Sequence, residues 1–174
     1  MDNILRVLKE QKEMNLKGNL YHFTQIEFAY NTNHIEGSTL TEEQTRYIYE
    51  TNTLLTEEGN ATTKIDDIIE MSNHFKLVDY MLDIATETLT EDIIKEFHKI
   101  LKNGTSDERK SWFNVGEYKT LANEIGGMAT SHPENVKTDM QTLLERYNSL
   151  ENVTFEDIVK LHSDFEKIHP FQDR

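Results

Sequence analysis

Apolar residues return at intervals of three and four along most of this sequence, with charged residues between them. Only two prolines, Pro133 and Pro170, are available to interrupt the pattern. A period near 3.6 places one apolar stripe on each helix, so the chain is expected to bury itself as a set of packed helices. The first stripe follows Asp2, a candidate N-cap, with Ile4, Leu5, Leu8 and Met14, and stops near Gly18. A second helix starts near Asn19, carries Phe23, Ile26, Ala29 and Tyr30 and runs to Ile35, where Gly37 ends it. Thr41 followed by Gln44 is a capping-box start for a third helix.

The stretch TNTLLTEEGNATT reads as a loop, and the longest periodic run follows it, with Ile65, Ile68, Ile69, Phe75, Val78, Met81, Leu82 and Ile84. This predicts a long core helix. Thr90 precedes another, with Ile93, Ile94, Phe97, His98 and Leu101, closed by Asn103-Gly104. Between Ser111 and Gly127 the period lapses into a glycine-bounded stretch with β-formers, read as a small hairpin. Pro133 suits the first turn of a helix with Val136, Met140, Leu143, Leu144 and Tyr147 on its apolar face. Thr154 caps a last helix, which ends at His169-Pro170 because a residue before proline is pushed out of helical geometry. At 174 residues one domain is expected.

Thirty-two acidic against eighteen basic residues give a net charge of −14, which repels nucleic-acid backbones and anionic lipid surfaces. No partner of either kind is expected. An acidic protein that binds ATP must supply positive potential locally, through a metal ion, oriented backbone N–H groups or a few arginines. The absence of cysteine removes disulfides and thiolate metal sites, and no stretch approaches a signal or membrane-spanning length, so a cytoplasmic location is the expectation.

The residues that could carry chemistry cluster in KIHPFQD. A histidine at a helix terminus, pinned by Pro170 and anchored by Phe171, can present its ring to a substrate, and imidazoles titrate near neutrality, where they can accept a hydroxyl proton. Asp173 is a hard oxygen ligand suited to Mg²⁺ shared with phosphates. On spacing alone, a capping histidine and a turn aspartate describe the same residues. His74 and His98 read as surface or packing positions, Trp112 with Phe113 as the anchor of a core edge, and His132 as a helix start.

KIHPFQD resembles the start of the Fic family motif HPFx(D/E)GNGRxxR, and LHSDFEKIHPF the helix that leads into it. NTNHIEGSTLT is similar to the family's inhibitory motif (S/T)xxxE(G/N), SNHFKLVDYM to its long central helix and GEYKTLANEIGG to its β-hairpin flap. The resemblance implies an all-α Fic-type domain over residues 1–174 with a small hairpin flap. Residues 1–55 would form N-terminal helices that include the inhibitory one, and 56–174 a Fic core lacking its C-terminal end. It implies a protein adenylyltransferase, which moves AMP from ATP to a hydroxyl side chain of a target protein.

In that family His169 would be the general base and Asp173 the Mg²⁺ ligand. Lys119, Thr120, Leu121, Ala122, Asn123, Glu124 and Ile125 would form the flap that aligns the target as an added strand. Phe171 and Arg174 would border the nucleotide. Glu36, with Thr32 on the same helical face and Gly37 after it, would be the internal brake, its carboxylate pairing with the second motif arginine. A carboxylate in a helix's last turn meets the unfavourable end of the macrodipole.

The sequence has one residue after Asp173, so the family's Gly-Asn-Gly turn and its arginines are not in it unless Arg174 is one of them. The chain as written is therefore expected to bind nucleotide weakly and to transfer AMP poorly. It is also expected to expose apolar surface where a final helix packs in the family. The alternatives are a catalytically silent Fic-like module that holds a peptide on its flap, and a sister activity such as UMP or phosphocholine transfer or removal of AMP. Self-modification and a homodimer are compatible with the family.

Overall fold

The computed structural model describes residues 2–56 and 62–172, so Asp173, Arg174 and part of the expected loop before residue 65 lie outside the described residues. Seven α-helices appear among the described residues, in the order α1 (Asp2–Met14), α2 (Leu20–Ile35), α3 (Glu42–Thr51), α4 (Ile65–Asp83), α5 (Glu91–Lys102), α6 (Pro133–Asn148) and α7 (Phe155–Ile168). A short antiparallel pair, β1 (Glu124–Ile125) and β2 (Met128–Ala129), lies between α5 and α6. The all-α expectation with a small hairpin holds. No described helix is long and apolar enough to cross a membrane.

The chain divides into two compact units, Met1–Glu87 with Ile100–Thr105, and Thr88–Lys99 with Ser106–Arg174. In the first unit α2 packs against α1, α3 and α4. Local chemistry sets its helix starts. The Asn19 side chain accepts from the His22 N–H at 2.8 Å, and Thr41 and Gln44 exchange side-chain and main-chain bonds of 3.1 and 2.9 Å. Ala29, Leu40, Ile48, Met71 and Phe75 form its core. The Asn73 amide donates to the carbonyls of Leu101 and Asn103, holding the end of α5 at 3.0 and 2.8 Å.

The apolar reading needs correction in places. Ile4 and Met14 on α1, Phe23 on α2 and Ile65 on α4, all expected on apolar stripes, are exposed. The buried side of α2 instead carries Gln25, whose Nε2 lies 2.9 Å from the Tyr21 hydroxyl and 2.9 Å from Asp79 Oδ1, while the Tyr21 hydroxyl donates to Asp79 at 2.5 Å. Burial, and then Asp79, push the Tyr21 phenol upward. Polar groups that hydrogen-bond one another can take interior positions that a hydropathy pattern assigns elsewhere, here through Gln25 Nε2, while Oε1 has no partner among the described residues.

In the second unit α6 packs on α7, and Ile94, Val136, Met140, Leu143, Leu144, Ile168 and Phe171 form the core. α7 starts at a capping box in which Thr154 accepts from the Asp157 N–H and the Asp157 side chain accepts from the Thr154 N–H. The hairpin is shorter than expected. Strand pairing is confined to Glu124 opposite Ala129 and Ile125 opposite Met128, around Gly126 and Gly127 at φ of 56° and 79°. Two consecutive positive φ values are what a type I′ turn needs, and glycine meets them without a Cβ clash. Residues 111–123 form turns instead, preceded by a 3₁₀ turn at Ser106–Arg109.

Candidate active site

The motif begins where α7 ends. His169 is the C-cap of α7, in the left-handed conformation at φ 45° and ψ 70°, with its N–H bonded to the Phe165 carbonyl at 2.8 Å. A non-glycine residue pays roughly 1 kcal/mol or more to adopt that region, and the following proline narrows the choice further. Something must hold it there. Two anchors follow at once, since Pro170 and Phe171 are both buried while His169 itself is only half-buried.

Phe171 is fixed by His98 of α5, whose ring stacks on it at 4.1 Å between centroids and 8° between planes. His98 in turn accepts the Gly116 N–H on Nδ1 at 2.9 Å. Gly116 has φ of 77°, where a side chain is strained, and a Cβ there would stand 3.1 Å from the Lys99 Cβ and have to displace it, so glycine suits this close approach to α5. Tyr118 lies 5.9 Å from the Phe171 ring and donates to Glu91 at 2.8 Å; burial, and then Glu91, push its phenol upward. Lys95 rests over the Tyr118 ring at 4.6 Å.

The other side of the motif is tied to the flap region. The Lys119 N–H donates to the Pro170 carbonyl at 2.8 Å, and the Lys119 ammonium donates to the Ile168 carbonyl at 3.1 Å, to Asn123 Oδ1 at 2.7 Å and to Thr130 Oγ1 at 2.6 Å. Asn123 Nδ2 donates to the Phe171 carbonyl at 3.1 Å, the Leu121 N–H to Gln172 Oε1 at 3.0 Å and the Ser131 N–H to the Lys167 carbonyl at 3.3 Å. Burial pushes the Lys119 amine down to about 8.

Of the residues expected to act together, the structure thus joins His169 and Phe171 to Lys119, Leu121 and Asn123 within one unit. Thr120, Leu121 and Ala122 are exposed on the approach to the hairpin, and only Glu124 and Ile125 of the expected flap are in a strand. The Phe171 ring is engaged in packing. Asp173 and Arg174 lie outside the described residues. Glu36 belongs to the first unit, as the C-cap of α2: its side chain is exposed and its N–H bonds the Thr32 carbonyl at 3.2 Å, with Gly37 following at φ 88°.

Sequence reasoning passed over His98, Gly116, Tyr118 and Thr130 as parts of this support. A glycine between valine and glutamate in a period-free stretch was the available hint for Gly116. Trp112, expected to anchor a core edge, is substantially exposed, and its neighbour Phe113 is the buried one. His74 and His98 are packing residues as read. His132 precedes α6 without a side-chain cap bond.

Among the described residues no group of three or more His, Cys, Asp or Glu is placed to hold a metal ion. The donor implied by the resemblance is one carboxylate, Asp173, which suits Mg²⁺ shared with phosphate oxygens and water rather than an all-protein cage. That donor set fits a metal that arrives with a nucleotide. A cavity of about 620 Å³ in the second unit, lined by Leu89, Glu91, Lys95, Lys137, Leu144 and Asn148 among others, contains no motif residue.

The Fic/DOC family model matches residues 88–173. A crystal structure of a Fic domain containing signaling protein from Bacteroides thetaiotaomicron is similar at a TM-score of 0.72 and 25% identity, over 97% of this chain and 60% of that one. A Fic family protein from Desulfovibrio desulfuricans is similar at 0.69 and 21%, over 99% and 52%. Fic-1 from C. elegans is similar at 0.70 and 21%, also over 99% and 52%. The chain therefore spans about half to three fifths of the length of these solved structures. No curated protein is similar enough in sequence to count as a relative. Over residues 88–173 this chain belongs to the Fic/DOC family, and its fold is that of Fic-domain proteins.

Proposed function

We propose that the protein is an adenylyltransferase that transfers AMP from ATP to a hydroxyl side chain of a target protein. The observation that carries this reading is the left-handed His169 at the end of α7, held between a buried Pro170-Phe171 anchor and the flap region, inside the segment that matches the family.

In this reading a target segment adds to the exposed hairpin, where main-chain pairing fixes the hydroxyl and tolerates varied side chains. The imidazole of His169 takes the hydroxyl proton as the oxygen attacks the α-phosphorus. A new oxygen–phosphorus bond forms, the bond to the β-phosphate bridge breaks, and pyrophosphate leaves with its electron pair. Magnesium, when bound by Asp173 and the phosphates, supplies charge neutralisation for the leaving group. Glu36 acts as the brake on nucleotide placement.

Protein expressed from the complete gene, incubated with Mg²⁺ and ATP labelled on the α-phosphate, tests the assignment. Label should enter protein, Glu36→Gly should raise it, and His169→Ala should abolish it. Labelling that persists without His169 would overturn the reading.

A further inference from the structure

We propose that Lys119 is a positioning residue that holds His169 in its reacting geometry by binding the main chain on both sides of it, an inference that rests on the role given to His169 above. The ammonium bonds the carbonyl before His169 and the Lys119 N–H bonds the carbonyl after the following proline's nitrogen, on Pro170 itself. His169 is thus bracketed at both neighbours by one residue. Its left-handed backbone is the conformation that would relax first if either bond were lost, because no glycine is there to make it favourable.

The amine has no spare donor. A lysine ammonium offers three N–H groups, and Ile168 O, Asn123 Oδ1 and Thr130 Oγ1 take three. Lys119 is 3% exposed, and no carboxylate among the described residues pairs with it. A cation meant for nucleotide phosphates would keep a donor and a path to solvent. This one is committed to neutral oxygens, which it draws together from three places: the end of α7, the approach to the hairpin and the residue that follows β2. Thr130 completes the link, since its hydroxyl lies 2.6 Å from Asn123 Oδ1 and 3.0 Å from the Asn123 carbonyl. Asn123 reaches the Phe171 carbonyl in the same network. The hairpin that would receive a target strand and the base that would deprotonate it therefore share one anchoring side chain. The depressed amine agrees with a cation buried for its geometry rather than for a charge partner.

Protein from the complete gene, as wild type, Lys119→Met and Thr130→Val, provides the test through two readouts. Backbone chemical shifts of His169 report its φ, and steady-state transfer of labelled AMP gives kcat and KM for ATP. Lys119→Met should move the His169 shifts away from left-handed values and lower kcat by about 10- to 100-fold with KM for ATP unchanged, as expected for a displaced base. Thr130→Val, which removes one acceptor of the amine, should shift both in the same direction by less. If Lys119→Met does not fold, Lys119→Gln, which keeps a polar group at that depth, carries the same readouts. Unchanged His169 shifts with unchanged kcat in a folded variant would overturn the proposal, as would a loss confined to KM. Wild-type protein without His169-dependent transfer would sink the adenylyltransferase reading instead, and the His169 shifts alone would then decide whether Lys119 sets that backbone.

Discussion

Replacing His74 by leucine should flatten the pH dependence of stability on the acid side of neutrality. The imidazole is 3% exposed on α4, its ring lies 5.3 Å from that of Phe28, and Nδ1 has no hydrogen-bond partner among the described residues. Burial disfavours the charged form and pushes the group down to about 4 from its ordinary 6.5. Between those values the unfolded chain binds a proton that the folded chain refuses. Stability from this group is therefore complete above the ordinary value and is lost as pH falls towards the folded one. Going from about pH 7.5 to about pH 5.5 should remove about 1.3 kcal/mol, and acidification below both values about 3 kcal/mol.

The milder step is the practical one, because the sequence pI is 4.9 and solubility falls near it. Urea unfolding followed by far-UV circular dichroism, for wild type and His74→Leu at both pH values, isolates the effect. The relief of net negative charge on acidification and the other six histidines are common to both chains and cancel. The imidazole resonance of His74 should titrate near 4 in a proton NMR series. A resonance titrating at 6.5, or equal losses in the two chains, would refute the assignment of the acid sensitivity to this side chain.

Two further outcomes concern the support of the motif. His98→Ala removes the stack on Phe171 and the acceptor of the Gly116 N–H, which should cost about 2–4 kcal/mol. The chain's single tryptophan, Trp112, packs edge-on to Phe113 beside His98, so its fluorescence in a urea titration reads the loss; a change under about 0.5 kcal/mol would count against a supporting role. Thr154→Ala opens the capping box of α7 and should cost about 1 kcal/mol in the same titration, while leaving His169-dependent transfer measurable.

The helices were legible because their signals are local. Thr41 with Gln44, Asn19, Thr154 and Pro133 each act within four residues of themselves, so reading them in order locates α2, α3, α6 and α7. HPF at the end of a periodic run likewise announced a histidine just past a helix. Interior polar positions were not legible. Gln25 is buried with its Nε2 bonded to the Tyr21 hydroxyl and to Asp79, the latter 54 residues away, while Phe23 two residues earlier is exposed. The flap was read too long, because β-forming residues between glycines do not reveal how many of them find a partner strand.

The amino-acid order alone determined which segments coil, where they begin, and that a histidine with a proline behind it would close the last one. Tertiary structure decided what that histidine is worth. Its left-handed backbone is held by the carbonyl bonds of Lys119, 50 residues earlier, and its Phe171 anchor by a ring on α5. Those contacts depend on how three separate stretches meet in space, and no periodicity or spacing along the chain encodes such a meeting.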